Sequence, residues 1–308
     1  MILTNTELQA WAHCKRCWYL GFYRCLRKRD DVRSPLTIGS LYHKALQEYY
    51  TVGEGRGPHP VDAIQKRAIT MALENEVFVD EIARDAEMAG IMAEGYMEWL
   101  EETGEDADLE IYAAETKLEV PLGETGHIIR GKLDARAIRR SSSAKLFMEH
   151  KTVGNLVELP KTAQTNPQFL TYSLLEYLEL RESGQGEERT DGLLLNMAKK
   201  VKRTPRAKPP FYARLEVRYN LAEIRNHWRH VVTAAAEIQS ARDRLDAGEN
   251  FQYVVPPNST RECFWRDGFA SLCVTGMMDN GADFEGYITE NFETWDPLSR
   301  YEEDEETA

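Results

Sequence analysis

The pattern of apolar and polar positions changes period near residue 105. Before it, Ile38, Leu41, Tyr42, Ala45, Leu46 and Tyr49 recur at three- and four-residue intervals, the stripe of a helix with one buried face. Ser34-Pro35 precedes them as a cap with proline at the first helical position. Residues 61–78 and 80–102 carry the same spacing, beyond a Gly- and Pro-containing loop at 52–58, and end near Gly104. At the start of the chain, Leu3-Thr4-Asn5-Thr6-Glu7-Leu8 fits a capping box, with Thr4 as the cap, Glu7 three residues on, and Leu3 and Leu8 placed to staple the turn. A short helix running toward Cys14 is expected.

Past residue 105 apolar and polar residues alternate over Glu110–Pro121 and again over Ile128–Ile138, with the turn Gly123-Glu124-Thr125-Gly126 between them, which predicts a β-hairpin. Arg140-Ser141-Ser142-Ser143 turns into a third strand, Lys145–Thr152, and the apolar run Leu146-Phe147-Met148 marks it as a buried central strand. A helix over Pro167–Arg181, a strand over Leu193–Met197, a basic loop, a strand over Phe211–Tyr219 and a long helix over 221–247 follow. The chain after Pro256-Pro257 is irregular in pattern. With no internal repeat and no clear linker, the pattern describes one α/β domain with helical embellishment.

Composition then narrows the class. The 308 residues are 42% hydrophobic and 29% charged, values of a globular protein, which excludes disorder over most of the length. No apolar stretch reaches the roughly 20 residues that span a bilayer. The N-terminus also lacks the regions of a signal peptide, so a cytoplasmic location is expected. The net charge of −13 excludes a general polyanion binder, and any nucleic-acid contact must be local. Glu302, Glu303, Asp304, Glu305 and Glu306 form an acidic tail expected to be disordered and solvating. Five cysteines are too few and too odd in number for a disulfide framework, leaving core thiols or a metal centre.

The chemistry concentrates on two neighbouring strands. Gly131-Lys132-Leu133-Asp134 lies in one and Glu149-His150-Lys151 in the next. Side chains alternate along a strand, so Glu149 and Lys151 share a face and His150 points away. A register that brings Asp134 alongside gathers two carboxylates and an ammonium. Two hard oxygen ligands suit Mg²⁺ or Mn²⁺, and a lysine beside the metal orients or deprotonates an attacking water. Such an arrangement hydrolyses phosphodiesters. Cross-strand ion pairs with this spacing are also common as solvent-facing decoration. The apolar lead into Glu149 favours the first reading, because buried charges need a metal or a partner.

With these residues in place, the chain resembles the RecB-like branch of the PD-(D/E)XK nuclease superfamily, which includes CRISPR-associated and phage-encoded exonucleases and helicase-linked nuclease domains. The glycine-plus-histidine motif appears as Gly39-Ser40-Leu41-Tyr42-His43 and the Gly-x-x-Asp motif as Gly131-Lys132-Leu133-Asp134. The acid-x-Lys motif stands as Glu149-His150-Lys151-Thr152, with Glu where Asp is more usual, and the Gln-x-x-x-Tyr motif as Gln168-Phe169-Leu170-Thr171-Tyr172. Their order and spacing agree over roughly residues 1–275. The resemblance implies a restriction-endonuclease-like α/β core, a central mixed sheet flanked by helices, at about 105–220. Around it come a helical insertion at about 53–104 and a C-terminal helix with an irregular cysteine-bearing segment over 221–298. All of this would form a single domain over 1–298, followed by the tail at 299–308.

The resemblance also implies roles. Asp134, Glu149, Lys151, Gln168 and Tyr172 would be catalytic, and His43, Asp134, Glu149 and the His150 backbone carbonyl would hold Mg²⁺ or Mn²⁺, imidazole favouring Mn²⁺. Gln168 and Tyr172, four apart, share a helix face that touches the DNA backbone in similar nucleases. Many similar nucleases hold a [4Fe-4S] cluster with one N-terminal and three C-terminal cysteines. Cys14, Cys263 and Cys273 match three of those positions, Asp267 occupies the fourth, and Cys17 stands one helical turn from Cys14 as a substitute. A zinc site on the same ligands and plain thiol packing remain the competing readings. Cys25 is structural.

Nucleic-acid contact is expected at Lys199, Lys200, Lys202, Arg203, Arg206 and Lys208, with Arg24, Arg27, Lys28, Arg29 and Arg33 as a second group. Phe211 and Tyr212 either stack on bases or begin a strand. The function expected is a metal-dependent deoxyribonuclease, an exonuclease on single-stranded or end-exposed DNA, in recombination, repair, genome processing or phage and defence contexts. The alternative is a noncatalytic DNA-binding or assembly protein that keeps the fold and works through a helicase, recombinase or integrase partner.

Overall fold

The computed structural model describes residues 1–28, 38–53, 55–74, 79–183, 190–258, 263, 269–274 and 287–289. Strand β1 (Ile2–Thr4) leads into helix α1 (Asn5–His13), a single turn α2 (Lys15–Trp18), a π-helical turn and strand β2 (Leu26–Lys28). Helices α3 (Ile38–Tyr49), α4 (Pro60–Glu74) and α5 (Val79–Thr103) come next. Strands β3 (Leu109–Pro121), β4 (Ile128–Arg139) and β5 (Ala144–Val153) follow, then α6 (Glu158–Thr162) and α7 (Pro167–Glu182). Strands β6 (Gly192–Lys199) and β7 (Tyr212–Val217), helices α8 (Leu221–Asp246), α9 (Phe251–Val254) and α10 (Ala270–Val274), and strand β8 (Tyr287–Thr289) complete the order.

The main elements fall within a few residues of those expected from periodicity. The proposed cap at Ser34-Pro35 lies outside the described residues, as does the acidic tail at 299–308. The C-terminal stretch, expected to be irregular, contains α10 and β8, the latter pairing antiparallel with β2. Those elements are too short for their periodicity to stand out.

The chain divides into two units. The first comprises residues 1–35, 121–129 and 228–308. Here the Thr4 hydroxyl caps α1 by accepting from the Glu7 N–H at 3.2 Å. Glu7 does not reciprocate as a capping box would. Its buried carboxylate instead accepts from Trp18 Nε1 at 2.9 Å and from Arg242 at 3.0 Å. A buried charge needs partners more than an exposed first turn needs a second cap. Trp11 packs edge-on against Trp18 at 4.9 Å, and Ile128 N–H donates to the Met1 carbonyl where β1 meets the opening of β4.

The second unit comprises residues 36–120 and 130–227 and holds a mixed sheet. Strand β4 pairs antiparallel with β5 through Ala135↔Met148 to Arg139↔Ala144, and β3 also pairs with β4. Strand β5 runs parallel to β6, and β7 closes this side antiparallel to β6. Alternation places Ala135, Ala137, Leu146, Met148, Leu194, Ala198 and Tyr212 in one core with Leu41, Tyr42 and Leu46 of α3, Ile64 of α4, and Met92 and Tyr96 of α5. Burying aliphatic and aromatic side chains in this way contributes about 1.5–3 kcal/mol each.

Helix α7 starts at Asn166, whose side chain accepts from the Gln168 and Phe169 N–H groups, with Pro167 in the first turn. It is tied to β4 by Arg136, which donates to the buried Glu176 through Nε at 2.7 Å and through its terminal nitrogen, and also reaches Glu179. Thr190 supplies Glu176 with a further donor at 2.8 Å. Arg136→Met should therefore destabilise the fold by about 3–5 kcal/mol, the usual cost of orphaning a buried charge. Arg136→Met combined with Glu176→Leu should recover most of that loss, with both read from urea denaturation midpoints.

Candidate active site

Four elements of the second unit deliver the residues singled out in the sequence: α3 carries His43, β4 Asp134, β5 Glu149 to Lys151, and α7 Gln168 and Tyr172. Asp134 directly precedes Ala135, whose pairing with Met148 is the last in the β4–β5 ladder. There its Oδ2 accepts the His150 N–H at 2.7 Å and stands 3.5 Å from His43 Nδ1. Glu149 is 3% exposed, and its Oε1 is 2.6 Å from Lys151 Nζ and accepts from Gln168 Nε2 at 3.2 Å. The Gln168 amide also donates to the Tyr172 hydroxyl at 3.0 Å. Tyr172 is half-buried beside the acids, at the margin of the core.

The expected alternation along β5 holds. Glu149 meets Lys151 and Gln168, while the His150 ring turns the other way and lies nearly parallel to Tyr50, centroids 5.2 Å apart. Gly131 of the Gly-x-x-Asp motif has a steric reason. A Cβ there would stand 2.5 Å from Leu175 Cδ1 and 3.2 Å from the Tyr172 ring, so the missing side chain lets α7 approach β4.

Electrostatics pushes the two acids apart. Burial works against ionisation of Asp134, but His43 and the donors of His150 outweigh it and hold this carboxyl well below the usual range. Burial pushes Glu149 up to about 7, opposed by Lys151 and reinforced by the charge of Asp134. Burial brings His150 down to about 4. Two carboxyl groups that share one site in low dielectric cannot both ionise at ordinary cost, a conflict a bound cation relieves.

Whether a divalent ion suits the site follows from its donors. Asp134 and Glu149 offer hard oxygens, His43 an imidazole nitrogen and His150 a backbone carbonyl, a mixed set suited to Mg²⁺ or Mn²⁺. Among the described residues no three His, Cys, Asp or Glu side chains are already gathered as a cage. Glu149 is occupied by Lys151 and Gln168, and it would join His43 and Asp134 by changing partners.

The cysteines, in the first unit, are all unbridged thiols. Cys14 Sγ accepts from the Asn258 N–H at 3.3 Å, and Cys263 Sγ approaches the Asn258 carbonyl at 3.9 Å. The hydrogen bond from Cys17, acting against burial, lowers Cys14 to about 5. Cys25 lies against the Phe22 and Tyr23 carbonyls. The described thiols do not form a ligand set of three, and Asp267 lies outside the described residues, so no step is assigned to an iron-sulfur cluster.

The basic loop is partly engaged. Lys202 Nζ is 2.8 Å from Glu87, and Arg203 pairs with Glu98, both acids on α5. Lys200, Arg206 and Lys208 are exposed, and Lys199 is half-buried at the end of β6. Tyr212 begins β7 and donates to the Met92 carbonyl at 2.9 Å, so it serves the core. In the second basic group, Arg24 reaches the Tyr19 hydroxyl at 3.2 Å, while Arg29 and Arg33 lie outside the described residues. Sequence reasoning missed Asn196 and Arg214, which stand behind His150. The available signal was an asparagine inside the apolar strand Leu193-Leu194-Leu195-Asn196-Met197.

The acid on β4, the acid-x-lysine on β5 and the α7 glutamine bonded to the second acid thus lie together in the second unit. The model of the PD-(D/E)XK nuclease superfamily matches residues 3–267, and the chain belongs to that superfamily. Comparison with curated proteins gave no match. Among solved structures, the one described as the crystal structure of SSO0001 is similar at 16% identity, over 89% of this chain and 86% of that one, with a TM-score of 0.33.

Two outcomes are expected. Gly131→Val should cost about 1–3 kcal/mol by overpacking β4 against α7, measured by urea denaturation. The Glu149 proton binds more tightly in the fold than in the unfolded chain, where glutamate titrates near about 4.3. The stability it confers is complete below that value and is lost as pH rises through about 7. In metal-free buffer Glu149→Gln should therefore gain melting temperature over the wild type as pH goes from about 5 to about 8. A difference that does not vary with pH would contradict the assignment.

Proposed function

We propose that the protein is a divalent-metal-dependent deoxyribonuclease of the RecB-like type, acting as an exonuclease on single-stranded or end-exposed DNA. The observation that carries this reading is the meeting of His43 with Asp134 beside the Glu149–Lys151–Gln168 group, drawn from two helices and two strands. Membership of the nuclease superfamily supports DNA as the substrate class. Mg²⁺ or Mn²⁺, typical of the superfamily, would be held by His43, Asp134, Glu149 and the His150 carbonyl, and would supply Lewis-acid activation of the phosphoryl group and of water.

The protein's own groups do the rest. Lys151, a quarter exposed and fixed by Glu149, keeps an ammonium at the edge of the site, where it can hold the attacking water and balance charge on the phosphate. Gln168, itself held by the Tyr172 hydroxyl, keeps Glu149 beside Lys151 until the carboxylate turns toward His43 and Asp134 to hold a cation. Lys200, Arg206 and Lys208 offer exposed cations to phosphates, and Lys202 and Arg203 would join them by leaving Glu87 and Glu98. Recombination, repair, genome processing and phage or defence settings, with a helicase, recombinase or integrase partner, suit such an activity.

Purified protein with Mn²⁺ or Mg²⁺ should degrade end-labelled linear DNA and leave circular single strands intact, and Asp134→Ala should lower the rate by about 100-fold or more. Equal cleavage by both proteins would indicate contamination. Binding without cleavage by the wild type would leave the noncatalytic role.

A further inference from the structure

Behind the acids runs a chain of buried polar groups that the proposed reaction does not use. Arg214 on β7, with a side chain 3% exposed, donates from Nε to Asn196 Oδ1 at 2.5 Å. Its other nitrogens donate to the Glu105 carbonyl at 2.8 Å, to Asp106 at 2.8 Å, and to the Tyr50 and Tyr96 hydroxyls at 3.2 and 3.1 Å. Asn196 on β6, itself 3% exposed, places Nδ2 3.3 Å from His150 Nδ1. The orientations follow from valence. A guanidinium has only donors, so the Asn196 oxygen must face Arg214 and its NH₂ must face His150. Nδ1 of His150 is then an acceptor, and the imidazole is the neutral tautomer with its proton on Nε2. Burial, which disfavours the imidazolium, agrees with that state.

The imidazole is thus held in its plane by Asn196 and across its face by Tyr50, whose ring lies 24° from parallel. The backbone of the same residue donates its N–H to Asp134, so whatever fixes the ring also fixes the peptide that aims this carboxylate. We infer that Arg214 and Asn196 are positioning residues that act through the His150 ring to set its backbone amide against Asp134. The inference rests on the nuclease reading only for its consequence in cleavage. Outer groups that orient the holders of a metal site typically change affinity or activity by about 10- to 100-fold when removed.

The test is Asn196→Leu, which keeps a similar volume and removes both hydrogen bonds. Amide exchange followed by NMR should show the His150 N–H exchanging about tenfold or more faster, while the Leu146 and Met148 amides of the same strand keep their wild-type rates. Turnover of linear DNA should show kcat lowered by about 10- to 100-fold with KM unchanged. If Asn196→Leu fails to fold, His150→Phe keeps a ring against Tyr50, removes the Nδ1 acceptor, and should give the same pattern at the amide of residue 150. A folded variant with wild-type exchange at that amide and wild-type kcat overturns the inference. If the wild type cleaves no DNA, the nuclease reading fails, and the exchange rates still decide the positioning role.

Discussion

Midway along β4, where its pairing with β5 stops, the Asp134 carboxylate takes the place of a backbone acceptor. The β4–β5 pairs stop at Ala135↔Met148, and beyond them a side-chain oxygen of Asp134 receives the His150 N–H. This one bond couples the sheet to the site. It spends a main-chain donor on an ionised acid, a charge-assisted bond stronger than its neutral counterpart, and so fixes the acid's rotamer to the geometry of a buried strand. His43 then reaches Asp134 from α3, a helix whose other face is locked into the core by Leu41, Tyr42, Ala45 and Leu46. Rigid elements, with no loop among them, set the spacing of these groups.

The second acid is built on the opposite principle. Asp134 has donors that favour its charge, whereas Glu149 sits on the central strand with one ammonium and one amide, next to a like charge. The result is a pair of carboxyl groups with separated proton affinities, a common arrangement where a site holds a cation or divides acid and base duties. Such a pair costs folding free energy. The surrounding core of aliphatic and aromatic side chains offsets it.

The two faces of β5 divide the work. One presents Glu149 and Lys151 toward Gln168 and Tyr172, and the other sends His150 into a polar cluster of Asn196, Arg214, Asp106, Tyr50 and Tyr96 inside an otherwise apolar layer. A guanidinium with so many acceptors is fully committed, which makes the cluster a stiff support. The same logic appears in the first unit, where Glu7 gives up half of a capping box to serve Trp18 and Arg242.

Periodicity alone located α3 to α5, the β3–β4 hairpin, β5, α7, β6, β7 and α8, because each is long enough to show its period, and spacing alone placed Glu149 and Lys151 on one face. The four short motifs supplied the candidate residues of the site. What the sequence could not hold was partner choice. The turning of Glu7 away from its cap, the pairing of Lys202 and Arg203 with acids of α5, and the Arg214–Asn196–His150 chain all join residues far apart along the polypeptide. Hydrogen-bond valence and burial act only once the strands are registered and the helices packed. For that reason the elements belonged to the sequence, and the contacts that give them chemistry were decided by the tertiary structure.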